Sequence, residues 1–301
     1  MMMDVSIILV NYNTRHLTQV AIESIQKHTS NIVYEIILID NASTDGSKEY
    51  FEKRKDIKYL YNKENIGFGR ANNLGYQYAK GKYILLLNTD TYLLNNAIKE
   101  FFDYMEGAST EVACVGCWLK NAELGENASE VHFLHINTVL RNSWNALIPS
   151  PLKKRKSIVN KSEEEGVVKE KKVEAVIGAD MFIRREVIEQ YGLFDEKIFM
   201  YCEEIDVQKR WTEAGFKMML ISSPQIVHLE GQSSTRYSAR RNIMFTRGVF
   251  YYLKKHSPAW KYYGFRFVYA VLKTPIIFNC NYSFRDRLMI LHNNCLARID
   301  I

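Results

Sequence analysis

Apolar residues along this chain fall into short blocks closed by polar residues, and these blocks alternate with segments of helical spacing. Residues 5–10 (VSIILV) form the first block and end in Asn11, Tyr12, Asn13 and Thr14. Leu17, Val20, Ala21, Ile22 and Ile25 then recur with the period of an amphipathic helix. Residues 35–39 (EIILI) repeat the pattern, closed by Asp40 and Asn41 and followed by a helical segment through Tyr50 and Phe51. A short strand is expected at 57–60, a glycine-rich turn into a helix at 65–80, and a buried strand at 83–87. Strands alternating with helices predict a mostly parallel, Rossmann-like sheet flanked by helices.

The strand at 83–87 stops abruptly at Asn88, Thr89 and Asp90. In an open α/β sheet, ligands gather outside the carboxyl ends of the strands, and residues two apart in extended chain share a face. Asn88 and Asp90 should therefore point together into a cleft. A carboxylate beside an amide oxygen suits a hard divalent cation that also carries phosphate oxygens. A plain Asn/Asp turn after a strand would use the same residues.

A second dense stretch begins at Val173. Residues 173–177 read as a strand, 178–180 as a turn and 181–183 as another strand. Glu203 to Ala214 reads as a helix closed by Gly215, with Asp206 and Arg210 as an i,i+4 ion pair. Its first turn holds Glu203, Glu204 and Asp206, more acid than complementing a helix dipole requires. Ile226 and Val227 then lead to His228 beside a Gly/Ser loop. Between the two stretches, residues 149–172 are dense in charge and read as a solvated loop carrying the basic cluster Lys153, Lys154, Arg155 and Lys156. From Asn242 onward aromatic and basic residues interleave, which predicts a helical tail that packs on the domain or lies at an interface.

Composition narrows the classes. The 301 residues, 47% of them hydrophobic, are ample for a packed core. The net charge of +6 favours anionic partners. An odd number of cysteines and no signal peptide predict free thiols and a cytoplasmic location, and the aromatic and basic tail adds peripheral contact with the inner face of the cell membrane as one candidate. Cys114 and Cys117 form a lone CxxC that reads as buried strand thiols. Gly67 and Gly69 lack the third glycine of a dinucleotide fingerprint, because position 72 is Asn, and no GxxxxGK[ST] loop is present. No RNA-binding signature appears, so no nucleic-acid partner is expected. The stretch from Phe265 to Phe278 is too short and too charged to span a bilayer.

VSIILVNYNT, ILIDNASTDGS, NIGFGRANNLGYQYAKGKYILLLNTDT, IGADMFIRREVIEQYGLFDEKIFMYCEEIDVQKRWTEAGF and VHLEGQS occur in that order and cover most of residues 4–234. Together they resemble family 2 glycosyltransferases of the GT-A fold, in particular the bacterial rhamnosyltransferase-like branch.

The resemblance implies a catalytic domain over 1–234, with a donor half at about 1–120 and an acceptor half at about 121–234; the region at 235–301, outside the matching motifs, is expected to be helical, and its interleaved aromatic and basic residues make it a candidate for membrane association. It implies a nucleotide-sugar donor, dTDP- or UDP-linked, held by Asn11, Asn13, Asp40, Asn41, Arg70, Asn73, Asn88 and Asp90. Asn88, Asp90 and His228 match the positions that hold Mn²⁺ or Mg²⁺, with Asn88 replacing the usual first Asp. Glu204 stands at the catalytic base and replaces the usual Asp, with Asp180, Glu203 and Asp206 on the acceptor side. The helix dipole is expected to keep Glu204 anionic. The implied reaction is metal-dependent, inverting transfer of one sugar, rhamnose being one candidate, to a glycan or lipid-linked glycan in cell-surface polysaccharide synthesis. QKRW at 208–211 falls one residue short of the QxxRW of processive synthases, so a non-processive enzyme is expected. Two other readings are a sugar-nucleotide nucleotidyltransferase and a basic binding protein without catalysis.

Overall fold

A computed structural model describes residues 3–147, 169–229 and 238–296. The basic cluster at 153–156, residues 230–233 of the VHLEGQS motif and Arg236 lie outside the described residues. The chain divides into two compact units, Met1–Phe133 with Val168–Ser233, and Leu134–Val167 with Ser234–Ile301.

The first unit is built on an eight-stranded sheet. Its chain runs β1 (Val5–Asn11), α1 (Arg15–His28), β2 (Tyr34–Asp40), α2 (Ser47–Phe51), β3 (Lys58–Tyr61), α3 (Phe68–Tyr78), β4 (Tyr83–Leu87), β5 (Thr91–Leu93), α4 (Ala97–Gly107), β6 (Val112–Cys117) and β7 (Glu130–Val131). Within the second unit follows α5 (Ile136–Leu147), after which the first unit resumes. There it adds β8 (Glu170–Val173), β9 (Ala175–Val176), β10 (Asp180–Arg184), α6 (Arg185–Tyr191), α7 (Glu203–Glu213), β11 (Lys217–Ile221) and β12 (Ile226–His228). The large sheet has the order β3-β2-β1-β4-β10-β6-β11-β8. β1 pairs in parallel with β2 and β4, and β11 in parallel with β6.

Alternate residues of each strand feed opposite cores. Ile7, Leu9 and Leu85 face α1 and α4 through Ala21, Ile22, Ile98 and Phe101. Ile8, Ile37 and Ile84 face α3, α6 and α7 through Ala71, Val187, Val207 and Trp211. Helices on both faces explain why the strands read as unbroken apolar runs. The order reverses at β1, which has β2 on one side and β4 on the other, and the crevice beyond the carboxyl ends opens at such a switch point. This is the mostly parallel α/β plan expected from the alternation.

Two elements depart from the expected pattern. The single strand expected at 173–177 is split: Val173 ends β8 on β11, whereas Ala175 and Val176 pair with β7. The turn expected at 178–180 is shorter, because Asp180 already opens β10, which lies antiparallel between β4 and β6. Cys114 and Cys117 are buried in β6, and burial pushes both thiols well up, as expected of strand thiols.

The second unit is helical among its described residues, with α5, α8 (Ala239–His256), α9 (Ala259–Lys273), a 3-10 turn (Thr274–Phe278) and α10 (Phe284–Leu296). No helix among the described residues is long and apolar enough to cross a membrane.

Candidate active site

The carboxyl ends of β1 and β2 carry a closed polar network. Asn11 and Asp40 are register partners, and both are fully buried. Asn11 Nδ2 donates to Ser43 Oγ at 3.0 Å and to Asp40 Oδ2 at 3.3 Å, while its Oδ1 accepts from Thr14 and Thr18 hydroxyls. Asp40 also accepts from the Ser43 amide and, at 2.9 Å, from the Tyr59 hydroxyl. Asn13, in the left-handed region at φ 55°, accepts from the Thr44 amide and donates its own amide to Ser43 Oγ. Asn41 donates to the Gly67 carbonyl and accepts from Asn62. These side chains fix the two loops in place, and Asn13 is the exposed member of the set.

Asn73 and Arg70 on α3 reach the segment before α7. Asn73 pairs both ends of its amide with the backbone of Phe194, and Arg70 Nε donates to the Glu196 carbonyl at 2.6 Å. The Phe68 amide donates to Phe199 O at 3.0 Å. Gly67 makes that approach feasible, since its φ is +92° and a Cβ there would meet Phe199 O at 2.3 Å.

At the end of β4, Thr89 and Asp90 form a turn and Asn88 donates its amide to Ala179 O at 3.0 Å. β5 pairs antiparallel with β12, which sets His228 opposite Thr91. His228 Nε2 consequently lies 3.3 Å from Asp90 Oδ1, with Asp90 partly exposed and His228 buried. The Leu229 amide donates to Asp90 O and Asn127 to His228 O, so both backbones are held as well. Thr14 and Thr89 hydroxyls at 3.2 Å tie the β1 loop to this turn.

Asp180 lies behind the turn as the register partner of Leu87. Its Oδ2 accepts from the Cys117 amide at 2.8 Å, and its buried Oδ1 has no hydrogen-bond partner. Burial pushes the carboxyl up to about 7, against the lowering effect of Cys117 and the charge of His228.

Glu203, Glu204 and Asp206 occupy the first turn of α7. Tyr201 and Cys202 precede it, both left-handed at φ 71° and 72°, a conformation that costs non-glycine residues energy and clusters at functional sites. Gln208 fastens the helix to β9 by bonding both Val176 N and O at 2.8 Å, and it also donates to Glu204 O. A Cβ on Gly178 would lie 3.5 Å from Glu204 Cβ, so the strand-to-strand turn beside Asn88 runs directly under Glu204. Glu203 is buried, with Oε2 lacking a hydrogen-bond partner, whereas Glu204 is partly exposed. Burial raises both carboxyls, Glu203 further through the charge of Glu204. Burial thus acts against the helix dipole that was expected to favour the anionic form of Glu204, and it raises the carboxyl above its ordinary value. Asp206 instead faces inward, pairing with Arg210 Nε at 3.2 Å. Arg210 in turn bonds the carbonyls of Tyr191 and Leu193.

The structure thus joins Asp90, His228 and Asn88 at one strand end, backs them with Asp180, and sets Glu204 across Gly178. Tyr59, Ser43 and Gln208 support these groups and were missed by sequence reasoning. Their partners are fixed by strand register and helix docking, which leave no local signal. Among the described residues no three His, Cys, Asp or Glu side chains assemble as a metal cage. Asp90 and His228 still fit an ion such as Mn²⁺ or Mg²⁺ that takes its remaining ligands from phosphate and water.

This sheet and cleft define the GT-A class of glycosyltransferases. The chain belongs to glycosyl transferase family 2, whose family model matches residues 6–192. It is 22% identical over 246 residues to the N-acetylglucosaminyl-diphospho-decaprenol L-rhamnosyltransferase of Mycobacterium tuberculosis, covering 75% of this chain and 76% of that one. A 34% identical match to an uncharacterized glycosyltransferase of Methanocaldococcus jannaschii extends over 108 residues, which is 34% of this chain and 37% of the relative's length. Among solved structures, GalNAc-T7 with UDP, GalNAc and Mn²⁺ superposes with a TM-score of 0.61 at 15% identity, covering 98% of this chain and 55% of that one.

Proposed function

We propose that the protein is a metal-dependent, inverting, non-processive glycosyltransferase that moves one sugar from a dTDP- or UDP-linked donor to a glycan or lipid-linked glycan, with rhamnose as the first sugar to test. Cell-surface polysaccharide synthesis is the proposed setting. The observation that carries this reading is the meeting of Asp90 with His228 at the end of β4, with Glu204 across the Gly178 turn. The mycobacterial relative, named for rhamnosyl transfer to a decaprenyl-diphosphate-linked sugar, supports the choice of sugar and acceptor. GalNAc-T7, solved with UDP and Mn²⁺, supports the donor and metal classes.

In this reading Asp90 and His228 hold the ion, with Asn88 beside them, and Asn11, Asn13, Asp40 and Asn41 shape the donor loops. Arg70 and Asn73 brace the donor side by gripping residues 194–196. A bound divalent ion would carry charge that grows on the leaving diphosphate. Glu204 accepts the proton of the acceptor hydroxyl, whose oxygen bonds to the anomeric carbon as the bond from that carbon to phosphate breaks. The pKa of Glu204, raised by burial, gives its carboxylate a higher proton affinity than an ordinary glutamate, which suits a base. Asp180, Glu203 and Asp206 support the acceptor side from behind. Residues 1–120 form the donor half and 121–234 the acceptor half of this proposal.

The test is incubation with dTDP-rhamnose and a panel of UDP-sugars, with and without Mn²⁺ or Mg²⁺. A transferase releases nucleoside diphosphate in step with glycosylated acceptor. A nucleotidyltransferase would instead exchange nucleoside triphosphate and sugar phosphate, and a binding protein would turn over neither.

A further inference from the structure

We propose that the outward face of α9 is a docking surface for an anionic lipid bilayer. α9 has two apolar faces, and the helical unit uses one of them. Tyr262, Phe265 and Tyr269 are buried, with Phe265 and Tyr269 set edge-on to the Phe250 ring of α8 at 5.9 and 5.2 Å. The other face bears Trp260 (74% exposed), Tyr263, Phe267 (74%) and Val271, at positions that repeat every three to four residues along one side of the helix. Phe278, 81% exposed in the turn that follows, extends the same kind of surface. Single exposed apolar residues are ordinary, but an aromatic stripe of this length marks an interaction surface.

Charge selects the occupant. Residues 238–296 carry ten Lys and Arg, with Asp286 as the one acid. α8, α9 and the turn contain no acid at all. Lys261 stands over the Trp260 ring at 5.3 Å, which puts a cation at the rim of the apolar stripe. A second copy docking through this face would bring like charges together. An anionic bilayer complements both features: the stripe enters the boundary between head groups and acyl chains, while the basic residues meet lipid phosphate. Aromatic side chains of the Trp and Tyr type favour that boundary. α9 lies on the bilayer in this arrangement, as none of the described helices is long and apolar enough to cross one.

The proposal does not depend on glycosyl transfer and is tested on the full chain with vesicles. Co-sedimentation with phosphatidylcholine vesicles containing about one third phosphatidylglycerol should exceed that with pure phosphatidylcholine by roughly tenfold or more, and should fall as salt screens the attraction. Phe267→Glu and Trp260→Glu, both at exposed positions, should each lower binding to the anionic vesicles by roughly tenfold, whereas Phe267→Leu should retain it. Sedimentation velocity without lipid reads whether the face pairs two copies instead. Absence of vesicle binding by the wild type, or full binding by both Glu variants, overturns the proposal. So does a dimer that Phe267→Glu dissociates while no vesicle binding is seen. If vesicles bind as expected but no nucleotide sugar is ever turned over, the lipid surface stands and the transferase reading fails.

Discussion

Asp90 Oδ1 lies 3.3 Å from His228 Nε2, and that closeness is made by a short antiparallel pairing of β5 with β12. Neither strand has more than three residues, so the pairing depends on its surroundings. Lys120 supplies part of them, with its amide bonded to Ile226 O and its carbonyl to the His228 amide. Two donors of different chemistry thereby face one point at the mouth of the cleft.

If this pair holds the ion, Asp90→Ala should lower sugar transfer by roughly 10²- to 10³-fold, the loss of a few kcal/mol of charge stabilisation on the leaving group. His228→Ala should chiefly raise the metal concentration needed for half activity. Metal titrations of transfer rate read both effects. Wild-type turnover in excess chelator would remove the metal from the reaction.

Glu204→Gln should cut turnover by roughly 10²- to 10⁴-fold with donor affinity unchanged, because it removes basicity while keeping size. Glu203→Gln should be milder. Asp206→Asn should act on stability instead, by roughly 1–3 kcal/mol, since its partner Arg210 is part exposed and the full cost of breaking a buried pair does not apply. Turnover, donor affinity and melting temperature of the three variants separate these roles. A dead Glu203→Gln beside an active Glu204→Gln would move the base to Glu203.

Burial raises the Glu204 carboxyl, and a base works only when deprotonated. The acid limb of kcat/KM should therefore lie above the ordinary glutamate range, with activity rising as pH climbs through the raised pKa. A pH profile measured at saturating metal checks this. A limb at the ordinary value would mean that the site is wetter than its packing shows.

Asp180 gives a stability prediction of definite sign. Its folded-state value is about 7 against an ordinary 3.8, so between these values the folded protein holds a proton that the unfolded chain has lost. Stability contributed by protonated Asp180 is present below the unfolded value and falls as pH rises toward 7. Asp180→Asn, which keeps an acceptor for the Cys117 amide, should flatten that fall. Melting temperatures from pH 5 to pH 8 in chelator, an interval of roughly the size over which such linkage is read, supply the comparison. Parallel curves for wild type and variant would disprove the linkage.

Gly67→Ala should destabilise the protein by at least about 2 kcal/mol, since the residue is left-handed and its Cβ would strike Phe199 O. Because that contact also seats the segment before α7, transfer should suffer in the fraction that remains folded. Thermal melting and kcat together test this.

The chain's local pattern determined much of the first unit by itself. Apolar runs at 5–10, 35–39 and 83–87 became β1, β2 and β4, and the polar residues that end them, Asn11, Asp40 and Asn88, stand at one edge of the sheet. Gly215, with φ +98°, follows α7 where a helix end was read, and the Asp206–Arg210 pair formed from its spacing. These features are legible because side-chain periodicity and capping act within a few residues. Tertiary structure decided the rest. It inserted β10 antiparallel between β4 and β6, put α5 in the helical unit, and set Tyr59 on Asp40, Gln208 on β9 and His228 on Asp90. Even the direction in which the Glu204 carboxyl shifts follows burial rather than its place at a helix start. Register and desolvation arise only when distant segments pack, and no short window of sequence encodes which segments those are.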